Sequence, residues 1–168
     1  MDLREELEAL ARATSGLRSA IYDLRHEGEQ PLVESIESLV GLNQQLMPGR
    51  EVTLSVEEGL PESLPRKMSL ELLRIVQEAL ANARRHSGAE RVEVSLREEG
   101  SGVIVAEVRD DGCGFDRGSV RTGVGLSAMR ERAAGLGGSI EIEGRPGAGT
   151  RVVLRVPVAD GNPAPPRL

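Results

Sequence analysis

The sequence predicts an α+β domain: a two-layer α/β sandwich of three helices on a mostly antiparallel sheet of about five strands, preceded by a helical stub. Three observations carry this. Short runs of alternating apolar residues recur through the second two-thirds of the chain, separated by glycine-rich turns. One long stretch, from Met68 to His86, repeats its apolar residues with helical period. The first thirty residues instead carry a heptad, with Leu3, Leu7, Leu10, Thr14, Leu17, Ile21 and Leu24 spaced alternately by four and three.

The heptad is interrupted by Thr14 and Gly16 and stopped by Gly28 and Pro31. Its seam either docks on the chain's own domain or pairs with another helix in a bundle. LVESIESLVGLNQQL reads as a second helix, ended by Pro48-Gly49, and EVTLSVEEG as a half-buried strand through Val52, Leu54 and Val56. Pro61 and Pro65 bracket a loop before the long helix. RVEVSLREE and GVIVAEVRDD form a hairpin about Gly100-Ser-Gly102. LSAMRERAAGLGG reads as a further helix with a glycine-rich end, and SIEIEG and GTRVVLRVPV as strands joined at Arg145-Pro-Gly-Ala. These elements divide the chain into a stub over 1–48, a domain over 49–158 and a disordered, proline-rich tail over 159–168.

Composition narrows the function. At 168 residues and 39% hydrophobic content, the chain builds one domain core and an appendage. One Phe, one Tyr and no Trp leave an aliphatic core and no stacking platform for single strands. A net charge of −6 offers no global field for nucleic acid or an anionic membrane. The single cysteine, Cys113, excludes an internal disulfide and a cysteine-cluster zinc site. No apolar run approaches the roughly 18 residues a membrane helix needs, so this segment makes no membrane contact and is expected in the cytoplasm, whatever anchors a parent protein.

Two glycine clusters follow the hairpin. The second, Gly123-Val-Gly125-Leu-Ser-Ala128, fits the G-x-G-x-x-G/A pattern of a dinucleotide turn. That turn must follow a strand at once, within parallel crossovers. Here Gly112, Gly114, Asp116 and Gly118 intervene, and the flanking strands are hairpin-linked. The long helix is more informative. At about 100° per residue, Leu72, Leu73, Val76, Ala79, Leu80 and Ala83 make one face, and Glu78, Asn82, Arg85 and His86 an opposing stripe. Asn is a modest helix former, so its presence in line with a carboxylate and a cation asks for a reason. A carboxylate, a neutral oxygen and a cation in series can position a nucleophile, a hard metal ion and a phosphate.

EALANARRHSGA resembles the N box of the ATP-binding domain of two-component sensor histidine kinases, in the superfamily that also holds gyrase and MutL ATPases. Asp110-Asp-Gly112-Cys-Gly114 resembles its D-x-G-x-G box, and Gly123-Val-Gly125-Leu126 and Gly147-Ala-Gly149-Thr150 resemble its later glycine boxes. Four motifs stand in the right order over about residues 50–158. Within the family, Ile75-Val-Gln-Glu-Ala-Leu, the short loop between glycine boxes and Met129-Arg-Glu-Arg resemble the nitrate-sensor and desaturase-sensor subgroup.

The resemblance implies the Bergerat ATP-binding fold, with a mixed, mostly antiparallel sheet, and the cofactors ATP and Mg²⁺. It also implies the residue roles. Asp110 accepts a hydrogen bond from the adenine amine, Gly112 and Gly114 let backbone approach the base, and Thr150 shares a water with Asp110 and the adenine. Asn82 is the metal ligand, completing a Mg²⁺ shell otherwise made by phosphate oxygens. Arg85 and His86 lie near the phosphates. Gly123 and Gly125, followed by Leu126, hinge the lid and lead into a helix whose amides face phosphate. Glu78 is the catalytic residue, as base or as hydrogen-bond acceptor, and Cys113 is incidental.

The pattern breaks at the phosphoacceptor. His26-Glu27 has the family's dipeptide, but Gly28 and Pro31 follow at once, and LRSAIYDLRHEGEQP resembles the end of the second bundle helix instead. His86 belongs to the N box. The expectation is a catalytic domain acting on a histidine supplied upstream or in trans, unable to label itself alone, with a response regulator downstream and a homodimer through the N-terminal helix. An anti-sigma-factor type serine kinase and a non-catalytic, nucleotide-dependent interaction module are the alternatives.

Overall fold

A computed structural model describes residues 3, 4, 7, 29–100, 102–115 and 124–158. The heptad beyond Leu7, His26, Gly123 and the tail over 159–168 lie outside the described residues. Leu3, Arg4 and Leu7 are helical, and both leucines are exposed.

In chain order the elements are β1 (Glu29–Pro31), α1 (Leu32–Leu46), β2 (Glu51–Val56), β3 (Ser63–Pro65), α2 (Arg66–Asn82), a π-helical turn (Ala83–Ser87), β4 (Arg91–Glu99), β5 (Val103–Asp110), α3 (Val124–Gly135), β6 (Ser139–Gly144) and β7 (Thr150–Pro157). Three helices and a five-stranded sheet in the order β2-β4-β5-β7-β6 give the expected α+β sandwich. Four of the five strands are joined antiparallel, but β2 runs parallel to β4. A parallel pair needs a crossover between its strands, and α2 provides it. The segment between Pro61 and Pro65, read as loop, includes β3, which pairs antiparallel with β1.

The core lies between helices and sheet. Residues i, i+3 and i+4 of α2 (Leu72, Ile75, Val76, Ala79 and Leu80) are buried against alternate residues of the strands. Those are Val92, Val94 and Leu96 of β4, Ile104, Ala106 and Val108 of β5, and Val152, Leu154 and Val156 of β7. Helix α1 joins the same core through Leu32, Ile36 and Val40, although the sequence reading assigned it to the stub. Gln44 ties its end to β2, donating to the Arg50 carbonyl and accepting from the Val52 amide, each at 2.8 Å.

The opposite sheet face is covered by arginine and glutamate. Arg151 grips Glu107 at 2.7 and 3.1 Å, while Arg155 reaches Glu99 at 3.1 Å and Glu141 at 3.2 Å. Val105 and Val153, on this same face, are 0% and 1% exposed, with Arg97 and Arg155 flanking the first across the strands and Glu107 and Glu141 the second. The Arg151 hydrogen bonds hold the Glu107 carboxyl below its usual 4.5, against the opposing effect of burial. A depressed folded-state pKa contributes stability that is present above the unfolded value and lost as pH falls through the folded one. The thermal midpoint should therefore drop as pH is lowered below 4.5, and Glu107→Gln should flatten that decline. An identical slope in wild type and variant would sink the assignment.

Candidate nucleotide cleft

The inward alternation of β5 runs Ile104, Ala106, Val108 and then Asp110, so the strand's periodicity drives a carboxylate toward the core. Asp110 is 7% exposed. It accepts the Gly112 amide at 2.9 Å and is also hydrogen-bonded by the Thr150 amide, its register partner on β7. Burial raises its pKa above 3.8; the two amides oppose that rise and the neighbouring Asp111 adds to it. Among the described residues no cationic side chain pairs with it. A buried, unpaired carboxylate costs free energy, which points to a ligand that supplies its missing donor.

Asp111, next in sequence, has another task. It is exposed and accepts the Glu90 and Arg91 amides, each at 2.9 Å, which fastens the loop entering β4 and lowers its own pKa.

Across from Asp110, α2 contributes Glu78 and Asn82, one turn apart on one stripe. The helix then widens into the π-helical turn, from which Arg85 and His86, on the same stripe, line the cleft. The Nε of Arg85 is buried and lacks a hydrogen-bond partner, as suits a cation awaiting an anion.

The loop after β5 is clamped on two sides. The Cys113 amide donates to the Ser87 carbonyl and the Gly147 amide to the Cys113 carbonyl, both at 2.7 Å. Gly112 and Gly114 make this docking feasible. A Cβ on Gly112 would strike the Ser87 carbonyl, and one on Gly114, which has φ +63°, would strike the Arg145 and Gly149 carbonyls. Both glycines admit protein backbone, where the sequence reading had them admit the base. Gly112 is not among the cleft-lining residues, whereas Gly114 is. At the start of α3, a Cβ on Gly125 would collide with the Glu78 carboxylate.

The result is one cleft of about 420 Å³. It brings together Glu78, Asn82, Arg85, His86, Asp110, Gly114, Gly125, Leu126 and Thr150 from the residues singled out in the sequence. Its apolar floor was not foreseen: Val108, Val152 and Ile142 stand in one register row across β5, β7 and β6, joined by Ala79, Ala83 and Phe115. Only strand register reveals that row. Asp110 and Thr150 beside an apolar floor in a cleft of this size suit a planar base, and the cations of the π turn suit an anionic tail.

The comparisons with known proteins agree. The family described as histidine kinase-, DNA gyrase B- and HSP90-like ATPases matches residues 68–160, more than half of the chain. The chain is 28% identical over 162 residues to the signal transduction histidine-protein kinase/phosphatase DegS of Brevibacillus brevis, covering 94% of this chain and 41% of that protein. It is 45% identical over 89 residues to the oxygen sensor histidine kinase NreB of Staphylococcus carnosus, covering 52% of this chain and 25% of that protein. The chain thus spans less than half the length of either relative. In fold it is similar to the ATP binding domain of PrrB from Mycobacterium tuberculosis, with TM-score 0.64 and 23% identity over 80% of this chain and 100% of that one. With the four motifs gathered around one cleft and the family matched across β4 to β7, the chain belongs to the histidine kinase-, DNA gyrase B- and HSP90-like ATPases.

Proposed function

We propose that this chain is the ATP-binding catalytic domain of a sensor histidine kinase, which binds Mg-ATP and directs phosphoryl transfer to a histidine on a separate helical bundle, upstream or in trans. The observation that carries the reading is the buried, cation-free carboxylate of Asp110 facing Asn82 and Glu78 across a single cleft. When bound, ATP supplies the transferable phosphoryl group and Mg²⁺ the neutralising charge.

The chain's own residues divide the remaining work. Asp110 accepts the exocyclic amine of adenine and repels the carbonyl that guanine carries there; Thr150, beside it, shares the water that completes this recognition. Asn82 offers its side-chain oxygen as the protein ligand to Mg²⁺. Magnesium takes few protein ligands, so phosphate oxygens and water would supply the rest of its shell. Arg85, with its unpartnered Nε, and His86 take the phosphate charge. Gly125 leaves the Glu78 carboxylate room beside the start of α3, where Glu78 would accept the N–H of an incoming imidazole and keep the lone pair of its other ring nitrogen free as the nucleophile.

The finer features extend the same reading. The Met129-Arg-Glu-Arg helix supports the nitrate-sensor and desaturase-sensor subgroup, and the exposed Leu3 and Leu7 support a homodimer through the N-terminal helix. No helix among the described residues is long and apolar enough to cross a membrane, in keeping with a cytoplasmic domain whose phosphorylated partner passes the group to a response regulator. We set the start of the domain ahead of α1 rather than at residue 49, because Leu32, Ile36 and Val40 pack in the domain core. Calorimetry should detect ATP binding that tightens with Mg²⁺. With labelled ATP the chain alone should incorporate almost no phosphate, and a supplied bundle bearing the acceptor histidine should become labelled. Robust labelling of the chain alone, lost in His26→Ala, would overturn the reading of the N-terminus.

A further inference from the structure

We propose that Phe115, seated on Gly144, forms the far wall of the nucleobase slot, and that the absent side chain at Gly144 sets the width of that slot. The inference rests on the reading of the cleft as an ATP site and adds to it a steric determinant of base recognition. Asp110, Thr150 and Gly144 are register partners across β5, β7 and β6, so they share one row and one sheet face. The first two present polar groups along that row; the third presents nothing. A Cβ built on Gly144 would lie 2.5–2.9 Å from three carbons of the Phe115 ring, so the ring occupies the space a side chain would take.

That ring lines the cleft together with the row beneath, Val108, Val152 and Ile142. Asp110 and Gly144 are two strand spacings apart, about 10 Å. The slot is therefore bounded by a hydrogen-bond acceptor at one end and an aromatic wall at the other. The wall is held before any ligand arrives, because the preceding loop is fastened to the Ser87 carbonyl and to the Gly147 amide. A side chain at Gly144 must displace the ring, and displacement into the slot narrows it from the side opposite the carboxylate.

Phe115 is the only phenylalanine in the chain, so its ring resonances identify themselves. With the full chain and ATP, nuclear Overhauser contacts should connect the Phe115 ring to the adenine C–H protons. Gly144→Ala should weaken ATP binding by about tenfold or more while leaving the affinity for inorganic triphosphate within about threefold. Adding Phe115→Leu to Gly144→Ala should recover most of the lost ATP affinity, because the shorter side chain gives back the width. Equal losses for ATP and triphosphate would mean general damage to the loop, and would overturn the proposal. So would wild-type ATP binding without ring-to-adenine contacts, whether or not Gly144→Ala folds. Failure of the wild-type chain to bind ATP at all would instead remove the underlying reading of the cleft, and the wall with it.

Discussion

Asp110→Asn is expected to weaken ATP binding by about tenfold to a hundredfold, the range that follows from losing a hydrogen bond to a charged acceptor. The amide is nearly the same size, so the cleft keeps its shape while the acceptor loses its charge. Burial of the carboxylate is relieved by the substitution, and one of its two backbone hydrogen bonds is weakened; these oppose each other. The thermal midpoint of the free protein should therefore move little, which separates loss of binding from loss of fold.

The pH dependence carries the same signature. A carboxyl whose folded-state pKa is raised contributes stability below its unfolded value and loses it as pH rises through the folded one. Binding runs the other way, because only the ionised form accepts the adenine amine fully. ATP affinity should fall on acidification through the raised pKa of Asp110, and the Asn variant should lack that dependence. Calorimetry across a pH series measures both effects. An Asn variant that binds ATP as tightly as wild type would remove Asp110 from the site.

Glu78→Gln is expected to slow phosphoryl transfer to a supplied acceptor histidine by about a hundredfold or more, the scale of a lost general base. Nucleotide affinity should stay within about threefold, since no role in holding ATP falls to this carboxylate. Gln is the informative replacement because it still fills the space against Gly125, so the start of α3 keeps its neighbour. Single-turnover labelling with saturating Mg-ATP reads the transfer step directly. A variant that transfers at the wild-type rate would leave Glu78 as a packing residue of the cleft. A variant equally impaired in binding would make it a nucleotide contact instead.

These two residues also mark how far the sequence could be read. The helix bearing Glu78 was legible because a seventeen-residue amphipathic pattern has few alternatives, and the polar stripe on it stood out from the apolar face. Asp110 was legible because the Asp110-Asp-Gly112-Cys-Gly114 box lies within one turn and resembles the family's pattern. The parallel pairing of β2 with β4 was not, since alternation reports which face is buried and says nothing of the neighbour's direction. The seating of α1 against the core was missed for a related reason. Its stripe of Leu32, Ile36 and Val40 suits a bundle partner as well as a sheet.

By itself, then, the sequence determined the class of fold, the helices and the strands of the five-stranded sheet, and the four motifs that hold the polar groups of the cleft. All of these depend on local periodicity and on residues within one element or turn. Tertiary structure decided where those pieces meet. It set Gly112 and Gly114 against protein backbone, and laid Val108, Val152 and Ile142 side by side as a floor with the Phe115 ring on Gly144 above one end. Such contacts follow from strand register and the packing of distant segments, which no local pattern encodes.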